Sequence, residues 1–174
     1  MYEAATIDSI ENEAGISAAR AGKYLTFTLA EEDYGISIKK IREIIGMMPV
    51  TKVPRVNAFV KGVINLRGKV IPVIDLRLRF GMEEIEHTDR TCIVIVEIEA
   101  GQTTVQMGIV VDSVSEVLNI QEDDIQPPPD LSAGNRTRYI LGMARMEGAV
   151  KILVDIDQVL GEAEVKKLEC ATTQ

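Results

Sequence analysis

A fifteen-residue pattern occurs twice in this chain, and the duplication constrains the fold more than any other feature. Gly62-Val-Ile-Asn-Leu-Arg-Gly-Lys-Val-Ile-Pro-Val-Ile-Asp-Leu76 aligns with Gly142-Met-Ala-Arg-Met-Glu-Gly-Ala-Val-Lys-Ile-Leu-Val-Asp-Ile156. Gly62, Gly68, Val70 and Asp75 match Gly142, Gly148, Val150 and Asp155 at one common offset. Upstream, Tyr34-Gly-Ile-Ser-Ile-Lys-Lys-Ile-Arg-Glu-Ile-Ile45 aligns with Met107-Gly-Ile-Val-Val-Asp-Ser-Val-Ser-Glu-Val-Leu118 at a slightly shorter offset. The difference falls around Pro127-Pro-Pro129, a loop where insertion costs little. Repeated turns between repeated apolar runs predict two similar β-subdomains packed together.

Period-two alternation supports the same reading. Tyr24–Leu29, Tyr34–Ile38, Val63-Ile64, Val70–Ile74, Cys92–Ile98, Val105–Val111 and Val150–Val154 read as short strands. Glu31-Glu-Asp33 is a predicted turn, and Ala100-Gly101 the tip of a hairpin. Strands this short, divided by Gly and Pro turns, indicate an all-β barrel or sandwich. Helical spacing appears mainly over 156–168, and Pro127 to Arg138 reads as a long loop. Residues 1–22 are acidic and polar, which predicts a mobile tail; 169–174 form a short polar end.

The net charge of −8 hides a segregation. Residues 39–79 sum to +8, 80–135 to −11 and 1–38 to −5, while 136–174 balance. An acidic total with no Trp and only Phe59 aromatic in the basic segment argues against nucleic acid as a partner. No apolar run approaches the ~20 residues needed to cross a bilayer, and no signal peptide is visible, so a soluble, reduced, cytoplasmic protein is expected. A larger signalling protein containing this module is a weaker reading, because 174 residues leave no room for an ATP-binding or receiver domain.

Catalytic and metal patterns are not found. Gly62 to Lys69 has five residues between its glycines, and Val70 stands where a phosphate loop needs Ser or Thr. Cys92, Cys170 and the single His87 have no zinc spacing, and Glu122-Asp-Asp124 lacks calcium-loop spacing. The expectation is no enzyme, no cofactor and no metal. The two repeats differ where Asn65-Leu66-Arg67 faces Arg145-Met146-Glu147. The glycines shape the turn, whereas the charged position is free either to stay solvated or to contact a partner.

Tyr34-Gly-Ile36, Ile41-Arg-Glu-Ile44, Val53-Pro54, Gly62–Gly68, Pro72–Leu76, Gly108–Asp112, Val114–Leu118 and Ile125-Gln-Pro-Pro-Pro129 together resemble the CheW chemotaxis coupling proteins over about 22–163. The resemblance implies two five-stranded SH3-like β-barrels packed together, about 23–83 and 89–156, and a short C-terminal helix. It further implies a non-enzymatic adaptor in the cytoplasm, recruited to membrane-associated receptor arrays. Its partners would be the cytoplasmic tips of methyl-accepting chemoreceptors and the regulatory domain of the histidine kinase CheA. Carried over residue by residue, the receptor groove takes Ile41, Glu43, Gly62, Arg67, Gly68 and Val117. Asp130 and Leu131 are the kinase-contact candidates. Ile41 and Val117 have a second role open to them, in barrel packing. The hairpin near Ala100 to Thr104 is longer than the family pattern, which puts local contacts there in doubt.

Overall fold

The computed structural model describes residues 21–127 and 139–160. The chain runs β1 (Gly22–Leu29), β2 (Glu32–Ser37), β3 (Ile41–Gly46), β4 (Val60–Leu66), β5 (Lys69–Asp75) and the single helical turn α1 (Leu76–Arg79). It repeats this order as β6 (Cys92–Ala100), β7 (Thr103–Val111), β8 (Ser113–Ile120), the two-residue β9 (Ile125–Gln126), β10 (Ile140–Met146), β11 (Ala149–Val154) and α2 (Ile156–Val159). The all-β expectation holds, with sheets of six and five strands; β9 supplies the sixth.

The sheets do not divide the chain where the sequence reading divides it. The five-stranded sheet runs β3-β6-β7-β5-β4 and the six-stranded sheet β8-β1-β2-β11-β10-β9. Each therefore takes strands from both halves, and the 23–83 and 89–156 bounds separate repeats rather than barrels. The exchange is made by two parallel pairings, β5 with β7 and β11 with β2, and two antiparallel ones, β1 with β8 and β3 with β6.

Alternation along the strands distributes the apolar residues into three clusters. Ile64, Ile71, Val73, Ile93, Ile95 and Val110 form one cluster within the five-stranded sheet. Tyr24, Ile120, Ile125, Ala144 and Leu153 form another within the six-stranded sheet. The third cluster is shared: Leu25, Phe27, Leu29 and Ile36 of one sheet meet Ile74, Val94, Val96, Ile98, Met107 and Ile109 of the other. On β6 the assignment switches residue by residue, Ile93 and Ile95 to one side and Val94 and Val96 to the other. That is the strand period expressed as two cores.

Local differences from the sequence expectations have local causes. The first turn falls on Ala30 and Glu31, both left-handed (φ 51° and 68°), so β2 starts at Glu32. Ala30 is held there by donating its N–H to Asp112 Oδ2 at 2.9 Å. Strands β3 and β8 carry no clean alternation in sequence; Ile41-Arg-Glu-Ile-Ile45 fits helical spacing equally well. Pro72 is tolerated inside β5 because its antiparallel neighbour Val63 gives both backbone groups to Thr51, at 2.8 Å each. The missing N–H then faces β7, whose ladder with β5 begins only at Val73. Of the helix expected over 156–168, the described residues show one turn, Ile156–Val159, followed by Leu160 in an extended conformation (φ −114°, ψ 139°). Residues 161–168, both tails except 21–22, and most of the proline loop lie outside the described residues.

Candidate functional site

Strands β4 and β5 meet in a two-residue turn, Leu66 pairing Lys69 across Arg67 and Gly68. Both central residues have positive φ, 53° and 85°, the type I′ geometry that matches strand twist. Gly68 donates its N–H to Asn65 Oδ1 at 2.8 Å. Gly suits this conformation and arginine does not, so Arg67 owes its place to its side chain rather than to the turn. The guanidinium reaches Glu43 of β3, with Nη1 3.4 Å from Oε2 and Nη2 bonded to Oε1. Glu43's hydrogen bond and charge push the Arg67 pKa further up, and the side chain stays 70% exposed.

Gly62 plays a different part. It is buried, with φ 141°, and a Cβ there would lie 2.0 Å from Thr51 O. Its lack of a side chain is what lets Thr51 bridge to Val63 and bind the strand β3 extension to β4. Gly142, its repeat counterpart, is likewise buried, and a Cβ there would meet Gln126 O at 2.8 Å.

The remaining candidates rim the shared core. Val114 and Val117 on β8 lie opposite Phe27 and Leu25, both members of that core. Ile41 and Ile44 on β3 lie opposite Val96 and Val94, also members. Directly opposed residues in an antiparallel pair share a face, so the outer strand of each sheet aims apolar side chains at one layer. Ile41 and Val114 pack against it. Ile44 and Val117 remain 42% and 49% exposed. The outer strand of each sheet thus leaves one large apolar side chain exposed at the margin of this layer.

Of the residues chosen from sequence, Glu43 and Arg67 are bonded to each other, Gly68 shapes the turn that carries Arg67, Gly62 makes room for Thr51 against β4, and Ile41 packs inward. Val117 is on the opposite sheet's outer strand. Asp130 and Leu131 lie outside the described residues. Ile44 was missed as a surface residue; its signal was the second isoleucine in Ile41-Arg-Glu-Ile44, one more than a buried face needs. Among the described residues no group of three His, Cys, Asp or Glu could hold a metal.

Comparison with known proteins decides the family, because the CheW-like domain matches residues 23–164. The chain belongs to the CheW-like domain family. The chemotaxis protein CheW of Klebsiella aerogenes is 38% identical over 143 residues, covering 82% of this chain and 84% of that one. CheW of Rhizobium meliloti is 34% identical over 140 residues, covering 80% and 88%. Among solved structures, the scaffolding protein TtCheW from Thermoanaerobacter tengcongensis superposes with a TM-score of 0.69 at 40% identity, covering 77% of this chain and 88% of that one. In this CheW-like chain the repeat, the exposed rim and the arginine tip all fall inside the matched span, and no helix among the described residues is long and apolar enough to cross a membrane.

Proposed function

We propose that this protein is a non-enzymatic chemotaxis adaptor that couples transmembrane chemoreceptors to the histidine kinase CheA and helps assemble signalling arrays. The observation that carries the reading is the exposure of Ile44 and Val117 on the outer strands of the two sheets, each opposite a residue of the shared core. A helical hairpin can seat one apolar stripe against such side chains, the helix-in-groove mode of recognition. Arg67 stands at the end of β4, paired with Glu43 on the neighbouring β3, and can exchange that partner for a receptor carboxylate. Val117 supplies an apolar contact from the other sheet, Ile41 packs against the shared core, Gly68 holds the tip, and Gly62 lets Thr51 close against β4. The kinase's regulatory domain is assigned to the proline loop at Asp130 and Leu131. In this reading the protein works in the cytoplasm and reaches the membrane only through the receptors, without inserting into it and without nucleic acid.

The test is co-sedimentation with receptor-containing membranes, with and without CheA, followed by kinase activation. Arg67→Glu places two carboxylates where an ion pair stood, at an exposed tip. It should keep the wild-type far-UV circular dichroism and lose receptor-dependent kinase activation. Undiminished activation by the variant would overturn the assignment of Arg67.

A further inference from the structure

Each outer strand meets its neighbour through one irregularity, and the two irregularities are repeat equivalents. On β8 the ladder with β1 pairs Leu25 with Val117 and then Phe27 with Val114, so Ser115 and Glu116 together stand opposite Thr26. On β3 the ladder with β6 pairs Ile44 with Val94 and Ile41 with Val96, which leaves Arg42 over beside the Glu43–Ile95 pair. Ile41-Arg-Glu-Ile44 aligns with Val114-Ser-Glu-Val117. Each is a β-bulge, one extra residue on the outer strand. Its consequence is directional. In a regular strand, residues three apart face opposite sides. The bulge turns Val114 and Val117 to one side, opposite Phe27 and Leu25, and does the same for Ile41 and Ile44 opposite Val96 and Val94. This is also why neither strand alternates in sequence.

The two bulges are held differently. In the first repeat the hold is external: Arg42 pairs with Glu97 of β6, and Glu43 with Arg67 at the hairpin tip. Both arginines are more than half exposed. In the second repeat the hold is internal. Thr26 is 1% exposed and takes the place on its strand that Ile95 takes on β6. Its Oγ1 donates to Glu116 O at 2.8 Å and accepts from the Glu116 N–H at 3.2 Å. One hydroxyl therefore satisfies both backbone groups of a residue that the bulge takes out of the ladder, and its own donor and acceptor are matched in return. These bonds belong to one placement of the extra residue. One step further along β8, Thr26 would pair with Ser115, and Glu116 and Val117 would share Leu25. Such a step turns a side chain to the other face.

We infer that Thr26 is a positioning residue: its buried hydroxyl locks the β8 bulge at Ser115-Glu116 and so fixes Val117 on the docking side. What Val117 contacts rests on the adaptor reading above; the lock itself rests on strand geometry alone. Ile95 has no hydroxyl to offer, so the β3 side is held by exposed ion pairs that a partner can displace. The β8 side is set before any partner arrives, which spares binding the cost of ordering it.

The test is Thr26→Val, which keeps the shape and removes both bonds, beside Thr26→Ser, which keeps the hydroxyl. In Thr26→Val the Glu116 amide should exchange about fivefold faster or more, the effect of one lost hydrogen bond. The Leu25–Val117 backbone NOEs should weaken, and relaxation dispersion should appear from Ser115 to Leu118. Thr26→Ser should behave as wild type. A general loss of stability would speed exchange along β1 and β2 alike, whereas the lock predicts a change confined to the bulge and the residues after it. Thr26→Ser against Thr26→Ala, a pair differing only in the hydroxyl, repeats the comparison without valine's second methyl. Retention on receptor-containing membranes should fall several-fold in Thr26→Val and return in Thr26→Ser. Unchanged Glu116 exchange and Leu25–Val117 NOEs in the variants lacking the hydroxyl overturn the inference. Val117→Glu separates this from the adaptor reading. If Val117→Glu loses retention and a slackened Thr26→Val does not, Thr26 does not position the contact. If Val117→Glu is retained like wild type, docking at Val117 is what fails, and the NMR changes alone decide the lock.

Discussion

Replacing Gly62 by alanine tests how the five-stranded sheet closes, because one methyl group is set directly against a backbone carbonyl. The added carbon would sit 2.0 Å from Thr51 O, 2.8 Å from Thr51 C and 3.0 Å from Val50 Cγ1. Neither carbonyl atom can turn aside as a side chain would, so the Thr51–Val63 bridge must open. That bridge is two hydrogen bonds of 2.8 Å, worth about 1 kcal/mol each. The φ of 141° adds strain for any L side chain, on the order of 1–3 kcal/mol. The sum is about 3–5 kcal/mol, a large part of the ~5–15 kcal/mol that stabilises a typical domain. Gly22 is the internal control, since its φ of 145° is nearly identical and nothing lies within 4 Å of its hypothetical Cβ. Gly22→Ala should show the conformational part alone, about 1–3 kcal/mol. Urea unfolding read by linear extrapolation gives both losses, and amide exchange at Thr51 and Val63 reports the bridge itself. If Gly62→Ala is no less stable than Gly22→Ala and the Thr51 amide stays protected, the closure argument is wrong. A coupling defect in Gly62→Ala would then have to come from contact with a partner.

Other perturbations separate tip, rim and clasp. Glu147 holds the same left-handed turn position as Arg67 (φ 52°), so Glu147→Asn should stabilise the fold by about 0.5–1 kcal/mol in thermal unfolding. Ile44→Lys and Val117→Glu replace exposed rim residues; each should leave the unfolding midpoint near wild type while lowering retention on receptor membranes at least several-fold. Burial pushes the Asp112 carboxyl up, but the hydrogen bonds from Arg77 and Ala30 and the Arg77 charge outweigh it, leaving the group below the ordinary aspartate range. Its stabilisation is therefore complete above that range and lost as pH falls through the folded value; Asp112→Asn should cost about 2 kcal/mol at pH 7, with the gap to wild type closing in acid. Asp75 behaves oppositely, since burial raises it despite the Arg77 N–H it accepts while capping α1. Wild type loses stability there as pH rises from about 3.9 through the folded value, so Asp75→Asn, an equally good cap, should gain on wild type across that window in pH-dependent unfolding.

The sequence made the repeat, the hairpin tips and most strands legible because those depend on neighbours a few residues apart. The Arg67-Gly68 turn is an example: glycine, register and two-residue length all sit within one short stretch. The Ala30-Glu31 turn was displaced because neither residue favours a left-handed backbone; a carboxylate eighty-two positions away holds it there. The parallel neighbours of β5 and β11 were illegible for the same reason, since each repeat offers an equivalent edge. Of the site, the Arg67–Glu43 pair was anticipated as two residues of one groove, and the structure adds their direct bond. The rim needed strand pairing to emerge: only the register of Val117 on Leu25 and Ile44 on Val94 puts both on the shared core.

The exchanged ladders also set the order in which this molecule can be made. Strand β2 emerges early from the ribosome, but its parallel neighbour β11 ends at Val154, and the Lys151–Asp33 pair spans 118 positions. At about 5–20 residues per second, the first hairpin waits several seconds with an unpaired edge before its partner exists. Contacts this distant in sequence also slow folding, since the chain must close a long loop before they form. Neither repeat can finish a sheet alone, so the rim that would receive a partner exists only once nearly the whole chain is present.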